Sequence, residues 1–298
     1  MSLKKRLLAA FCAFKHPELL NTQIRLPRTI CSPKLNNYDQ LLVGKNVLIT
    51  GAGRNIGRAI AESLAEQGAN IYFTDIDANL IAELEQKLRS LGVVAHGWRA
   101  NINDTNKTDK LCSYLAKNKL SIDILVNNVG RQFDHVGLGE ITHAQRVETF
   151  TTNVLSPMYL TQKIVAQMIK NRVQGSILFI SSIHQDVPFR NPSYSGSKAA
   201  LGAIIKELAI DLAGYKIRVN GIAPGWIAQD KHGNTLHHSY TALHQSSIKP
   251  SYIGRAAVYL TADYFSYYTT GTILKIDAGL SLHNYRLEQH PPLAHPSE

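Results

Sequence analysis

Cysteine is scarce. The 298 residues contain three, Cys12, Cys31 and Cys112, with no CxxC pair. A sparse, odd count argues against a disulfide framework and fits a reducing compartment. Long apolar runs are missing too. None approaches the roughly 18 residues that a bilayer-spanning helix needs, so no membrane span is expected. Acidic residues are outnumbered, 22 Asp and Glu against 32 Lys and Arg, for a net charge of +10. That excess is unevenly spread. Residues 1–43 hold Lys4, Lys5, Arg6, Lys15, Arg25, Arg28 and Lys34 against Glu18 and Asp39, which is half the net charge. The rest is mildly basic and lacks a dense Lys/Arg stripe interleaved with aromatics, so no nucleic-acid partner is expected.

The basic leader admits more than one reading. Lys4-Lys5-Arg6 followed by the apolar stretch from Leu7 to Phe14 imitates the start of a secretory signal. Lys15 ends that stretch, and no small-x-small cleavage site follows. Residues 1–43 then read either as an acid-poor, amphipathic organelle-targeting segment or as an arm that is poorly ordered or packs on a neighbouring subunit. The expected location is cytoplasmic, with an organelle as the alternative.

From Leu42 onward, short β-branched runs alternate with helical patterns. Val47-Leu48-Ile49 reads as a buried strand, and Ile56, Ile60 and Leu64 form a helical stripe that ends at Gly68. Ile71-Tyr72-Phe73 is a second strand, followed by a helix carrying Leu80, Leu84, Leu88 and Leu91. Val93-Val94-Ala95 and Ile122–Val126 are further strands, and a long helix is expected over 143–170. The strand Ser176–Ile180 comes next. Asn191-Pro192 then supplies an N-cap and a first-turn proline for a helix whose core face is Leu201, Ile204, Ile205 and Leu208. Ile217–Asn220 and Thr272–Ile276 close the series. Continuously apolar strands alternating with helices specify a parallel sheet covered on both faces. The expected architecture is α/β, a single doubly wound, Rossmann-type domain over 44–282. It lies between the extension 1–43 and a polar tail, 283–298.

Thr50-Gly51-Ala52-Gly53-Arg54-Asn55-Ile56-Gly57 falls where the first strand turns into the first helix. Glycines let backbone turn sharply and approach a pyrophosphate, while the helix N-terminus offers free N–H groups. Asp75 follows the second strand, 24 residues after Gly51. A carboxylate there accepts from an adenosine ribose and repels a 2′-phosphate. Arg54 argues the other way. Asp75 decides for NAD over NADP, because an unpaired carboxylate facing a dianion is the costlier mismatch.

Tyr194 and Lys198 stand at i and i+4, on one helix face. A nearby ammonium stabilises phenolate and brings the phenol below its ordinary pKa of about 10, which suits acid/base work. The strand ending in Ser181-Ser182 delivers a hydroxyl to the same region.

These residues resemble the short-chain dehydrogenase/reductase family, over about Val43 to Gly279. The glycine turn is similar to that family's TGxxxGxG, Asn127–Gly130 to its NNAG, and Tyr194–Lys198 to its YxxxK. Asn220–Trp226 (NGIAPGW) is similar to its segment after strand six, and Asp277–Gly279 to its DGG. The resemblance implies an alcohol–carbonyl oxidoreductase with Tyr194 as general acid/base and Ser182 polarising the substrate oxygen. Lys198 would hold the nicotinamide ribose and depress the Tyr194 pKa, and Asn153 would support a water-linked proton relay. It further implies that Gly51, Arg54, Asn55, Ile56 and Gly57 cradle the cofactor, with Asn101 and Ile102 beside adenine. Asn128, Gly130, Pro224, Gly225 and Ile227 would line the nicotinamide side. A homo-oligomer, dimer or tetramer, built on the long helix and the Tyr194 helix is implied as well.

Departures are visible. Asn55 replaces a glycine, which asparagine tolerates because it can adopt a left-handed backbone. Asn101 replaces an aspartate, and Gln229 a threonine. Ser182 lies twelve residues before Tyr194, one fewer than is usual in the family. The segment Trp226–Pro250 reads as a substrate lid. Its histidines fix no ligand set, so no metal is expected. The substrate is read as a small alcohol or carbonyl compound such as a sugar, polyol or steroid. Two alternatives stay open: a 3-oxoacyl-carrier reductase, and an idle dinucleotide-binding sensor or scaffold.

Overall fold

A computed structural model of the chain describes residues 39–133, 137–230, 232–238 and 240–283. The expectations about the leader up to residue 38, the tail beyond His283 and the lid residue Lys231 fall outside those described.

The first strand, β1 (Asn46–Thr50), leads through the glycine turn into α1 (Asn55–Glu66). There follow β2 (Asn70–Asp75), α2 (Ala78–Ser90), β3 (Ala95–Arg99), α3 (Thr105–Lys117) and β4 (Ile124–Asn127). The second half runs α4 (His143–Phe150), α5 (Ser156–Lys170), β5 (Ser176–Ile180), α6 (Pro192–Leu212) and β6 (Arg218–Pro224). It ends with α7 (Pro250–Thr261), α8 (Asp263–Ser266) and β7 (Ile273–Ile276). The seven strands form one parallel sheet in the order β3-β2-β1-β4-β5-β6-β7.

Successive strand residues point to opposite faces, so each strand feeds two cores. Val47 and Ile49 of β1, with Phe73 and Val126, pack under α1, α2 and α7 through Ile60, Leu84 and Ile253. Leu48, Leu125, Ile177 and Phe179 pack on the other side against Leu115, Ile164 and Ile205 of α3, α5 and α6. Both faces are buried, which is why β1 and β5 read as continuous apolar runs, Val47–Ile49 and Ile177–Ile180. Each such side chain removed from water contributes roughly 1.5–3 kcal/mol.

Three local expectations shift. The third strand runs over 95–99 rather than 93–95. It pairs Ala95 with Ile71 through Arg99 with Asp75, while Val94 lies exposed before it. On this edge strand, His96 and Trp98 pack with Tyr72 and Tyr114. The β-branched pair was therefore the wrong signal. In α2 the buried face is Ile81, Leu84 and Leu88, with Leu91 exposed beyond the helix end. Leu42, inside the stretch assigned to the extension, is buried in the core, and its N–H donates to Gln67 O at 2.9 Å.

Sheet order reverses between β1 and β4. Strands on either side lead away in opposite directions, leaving a crevice beyond their carboxyl ends where such folds bind ligands. Asn128 closes its floor. Its Nδ2 donates to Thr50 O and Gly51 O at 3.1 and 2.9 Å, and its N–H donates to Thr50 Oγ1 at 3.0 Å.

Candidate active site

The glycine turn sits at this crevice. Gly51 (φ 65°) and Asn55 (φ 51°) both adopt the left-handed backbone. Asn55 thus keeps the turn that glycine would make. A Cβ on Gly57 would collide with the Gly51 carbonyl, so the first turn of α1 can lie against the strand end only with glycine there. Arg54, at the N-cap of α1, offers no side-chain cap, and the first turn holds no acidic residue. Its N–H groups are therefore open to an anion.

Asp75 ends β2, and backbone donors hold its carboxylate. Oδ2 accepts from Gly53 N at 2.8 Å, and Oδ1 accepts from Ile76 N and Asp77 N at 2.8 and 3.2 Å. This side chain therefore fixes the shape of the glycine turn as well as presenting charge.

Strand β5 positions the serines. Ser181 is buried and its hydroxyl is taken up by Gln185 Oε1 at 2.7 Å, with Lys198 O at 3.4 Å. Ser182 accepts from His184 N at 3.3 Å and lines the same cavity as Tyr194. Asn191 caps α6 by accepting from Tyr194 N at 3.1 Å, so the cap itself places the phenol on the first turn. One turn on, buried Lys198 donates from Nζ to Ile180 O at 2.9 Å, with Nζ 5.6 Å from the Tyr194 ring centre.

Burial dominates the electrostatics. It pulls the Lys198 ammonium down to about 8, which leaves it mostly charged at neutral pH. It pushes the Tyr194 phenol above its ordinary value, with the Ser182 hydrogen bond opposing that rise. The expectation that Lys198 holds this phenol low is therefore corrected. In the protein alone, burial is the largest influence on this phenol.

The long helix over 143–170 is interrupted. Residues Thr151–Leu155 form a π turn between α4 and α5, and Asn153 sits on it. Its Oδ1 accepts from Arg131 N at 2.6 Å, and its Nδ2 donates to Ser197 Oγ and Arg131 O at 2.8 and 3.0 Å. Such turns recur at functional sites. No periodicity argument shows one, because the apolar stripe continues through it.

Two adjoining cavities open on this edge, of about 800 and about 420 Å³, and both touch Asn55, Ile56, Asn128 and Gly130. Gly51, Arg54, Gly57, Asp75, Asn101 and Ile102 line the smaller, with Asn101 Oδ1 engaged by Asn103 N at 3.0 Å. Ser182, Tyr194, Lys198, Pro224, Gly225 and Ile227 line the larger. Asn153 stands behind them, tied to the helix that carries Tyr194. The donor set fits a dinucleotide: open helix-terminal amides where the cavities meet, a carboxylate in the smaller one and an ammonium in the larger.

The larger cavity also contains residues that motif reading passed over, chiefly His184, Phe189, Tyr240 and His283. His184 is two residues beyond Ser182, the one signal that could have found it. Its Nδ1 lies 3.1 Å from Ser195 Oγ, and burial pulls its pKa down to about 4, with the Lys198 charge adding to that. Gln229 instead donates to Gly233 O at 2.8 Å within the lid. Ser247 braces the lid by donating to Ala228 O and accepting from Leu236 N, at 2.7 and 2.8 Å.

A family model described as short chain dehydrogenase matches residues 45–238. The 7alpha-hydroxysteroid dehydrogenase of Escherichia coli K12 is 33% identical over 255 residues, covering 82% of this chain and 97% of that protein. Glucose 1-dehydrogenase 2 of Bacillus subtilis is 29% identical, covering 83% and 98%. Among solved structures, a 7 alpha-hydroxysteroid dehydrogenase complexed with NADH and 7-oxo glycochenodeoxycholic acid superimposes with a TM-score of 0.73. It is 31% identical over 82% of this chain and 97% of its own.

Proposed function

The chain belongs to the short chain dehydrogenase family, and on that premise we propose that Ser182, Tyr194 and Lys198 form its catalytic centre, with Asn153 bracing it. The protein is an oxidoreductase that interconverts hydroxyl and carbonyl groups of small molecules with a nicotinamide cofactor. When bound, that cofactor supplies the hydride acceptor or donor. The observation that carries the site assignment is the convergence of Ser182, Tyr194 and Lys198 on one cavity, beside the cavity that holds the glycine turn and Asp75.

Each residue has a derivable task. The Ser182 oxygen accepts from the His184 backbone, which leaves its proton to donate to a substrate oxygen. Tyr194, kept protonated by burial, is ready to give that proton to a carbonyl during reduction. In oxidation it must accept one, and there the Lys198 ammonium offsets the cost of a buried phenolate. Lys198 spends one donor on Ile180 O and keeps others for the nicotinamide ribose. Asn153 clamps the segment after β4 to α6, which holds the three together.

Asp75 supports NAD over NADP, its carboxylate lying in the smaller cavity. A homo-oligomer is supported by an apolar groove of about 590 Å³ along α5 and α6, lined by Leu155, Val165, Ile169, Leu208 and Leu212. Among the described residues no helix is long and apolar enough to cross a membrane. Cytoplasmic residence, with an organelle as the alternative through residues 1–43, draws support from Cys112, a buried free thiol that burial pushes up to about 11.

Tyr194→Phe tests the reading. It removes one hydroxyl, so folding and NADH binding should persist while turnover falls by roughly 10²–10⁴-fold. Near-normal turnover would sink the assignment.

A further inference from the structure

Two separate stretches of chain wall the larger cavity with rings. On the loop between β5 and α6, Phe189 packs on His184 with centroids 4.5 Å apart, and His184 meets Tyr194 edge-on at 4.9 Å. Beyond β6, Trp226, His238 and Tyr240 follow at 4.5 and 5.8 Å, and Tyr240 reaches His283 at 4.5 Å. All seven line the cavity that contains Ser182, and Val187, Pro188 and Leu280 fill between them. Among the described residues, no carboxylate lines it.

That lining discriminates. A sugar or polyol brings several hydroxyls out of water and needs a matching acceptor or donor for each. Among the described residues that line it there is no acidic acceptor, the side-chain amides are Asn55, Asn128 and Gln132, the first two where the cavities meet, and the remaining non-aromatic polar groups are Ser181, Ser182 and Lys198. His184, whose ring meets Tyr194 edge-on, already engages Ser195. Aromatic walls instead favour flat apolar skeletons, which gain from burial and from ring-on-ring geometry. Each ladder is three or more rings long, more than a single ring can cover.

Resting on the oxidoreductase reading above, we propose that the substrate is a secondary alcohol, or its ketone, on a flat apolar skeleton of at least two fused or linked rings, held between these two aromatic ladders. Trp226 and Phe189 set this specificity from opposite stretches of chain, while Ser182 and Tyr194 take the reacting oxygen.

The test uses the full chain with saturating NAD and four alcohols: 2-tetralol, cyclohexanol, D-glucose and D-sorbitol. The expected kcat/KM for 2-tetralol exceeds that of each other alcohol by at least about 10-fold. Trp226→Ala and Phe189→Ala should each raise its KM several-fold, and that of cyclohexanol less. A preference for glucose, sorbitol or cyclohexanol overturns the inference and leaves the oxidoreductase reading standing. Binding gives a second readout, through Trp226 fluorescence in a Trp98→Phe background with NADH present. If no alcohol is turned over but 2-tetralol alone quenches that emission, the specificity stands and the activity reading fails. If 2-tetralol neither reacts nor quenches, the inference is overturned.

Discussion

Ser181 and Ser182 are adjacent and chemically identical, yet only one can serve the site. Successive residues at a strand end point to opposite sides. Ser181 is spent on Gln185 and Lys198 O, and Ser182 reaches the phenol. Ser182→Ala should therefore cripple turnover, whereas Ser181→Ala should cost little beyond modest stability. Side-by-side assays at saturating cofactor decide it, and the opposite pattern would reverse the assignment. Lys198 carries a second residue-scale consequence. Its pKa falls from about 10.5 in the unfolded chain to about 8 when folded. Between those values the unfolded chain binds more protons, so stability gained from this group rises with pH in that window. Relative to Lys198→Met, the wild type should gain about 2 kcal/mol between pH 8 and pH 9.5. Urea denaturation of both proteins across that range checks it. A constant difference would show that the ammonium is not desolvated.

At the scale of elements, the site depends on how strands hand over to helices. Asp75, the last residue of β2, reaches across to the Gly53 amide and so shapes the entry to α1. It thereby joins two tasks that the sequence shows as one motif and one spacing: holding the glycine turn and presenting a carboxylate in the smaller cavity. Asp75→Ala should weaken NADH binding by at least about 10-fold, the value of one or two charge-assisted hydrogen bonds. NADPH binding should change less, which narrows or reverses the preference. Calorimetric titration of both cofactors tests this, and a wild type that favours NADPH would show that Arg54 outweighs the carboxylate. The π turn at 151–155 is a second handover. Helical periodicity predicts the helix across it, but whether Asn153 faces the Tyr194 helix depends on one extra residue in a single turn.

For the whole molecule, the parallel direction of all seven strands puts their handovers to helices on one edge of the sheet, and the reversal of order between β1 and β4 opens the crevice there. The opposite surface of α5 and α6 presents an apolar groove that does not belong to the catalytic cavity. Exposed apolar faces of this kind mark subunit contacts. Leu155, more than half exposed, is the place to test this. On the homo-oligomer proposed above, Leu155→Arg should lower the sedimenting mass toward that of a monomer while leaving the chain folded. An unchanged mass would move the interface elsewhere.

The sequence by itself determined the strand–helix alternation, the parallel sheet, the glycine turn, the carboxylate after β2 and the serine–tyrosine–lysine set. Each is written in near neighbours or in a fixed period, so chain geometry alone gives it meaning. Tertiary structure decided what depends on desolvation and on distant segments meeting. It pushed Tyr194 up where a local argument from Lys198 expected it low, because burial, the largest influence on this phenol, acts against its charged form. It moved β3 onto Ala95–Arg99, where pairing with β2 and packing around Trp98 outweigh the β-branched pair before it. It brought Phe189 and Trp226 to one cavity, although they are 37 residues apart in the chain and share no motif. Such a meeting is set by packing against the whole sheet, which no local pattern encodes.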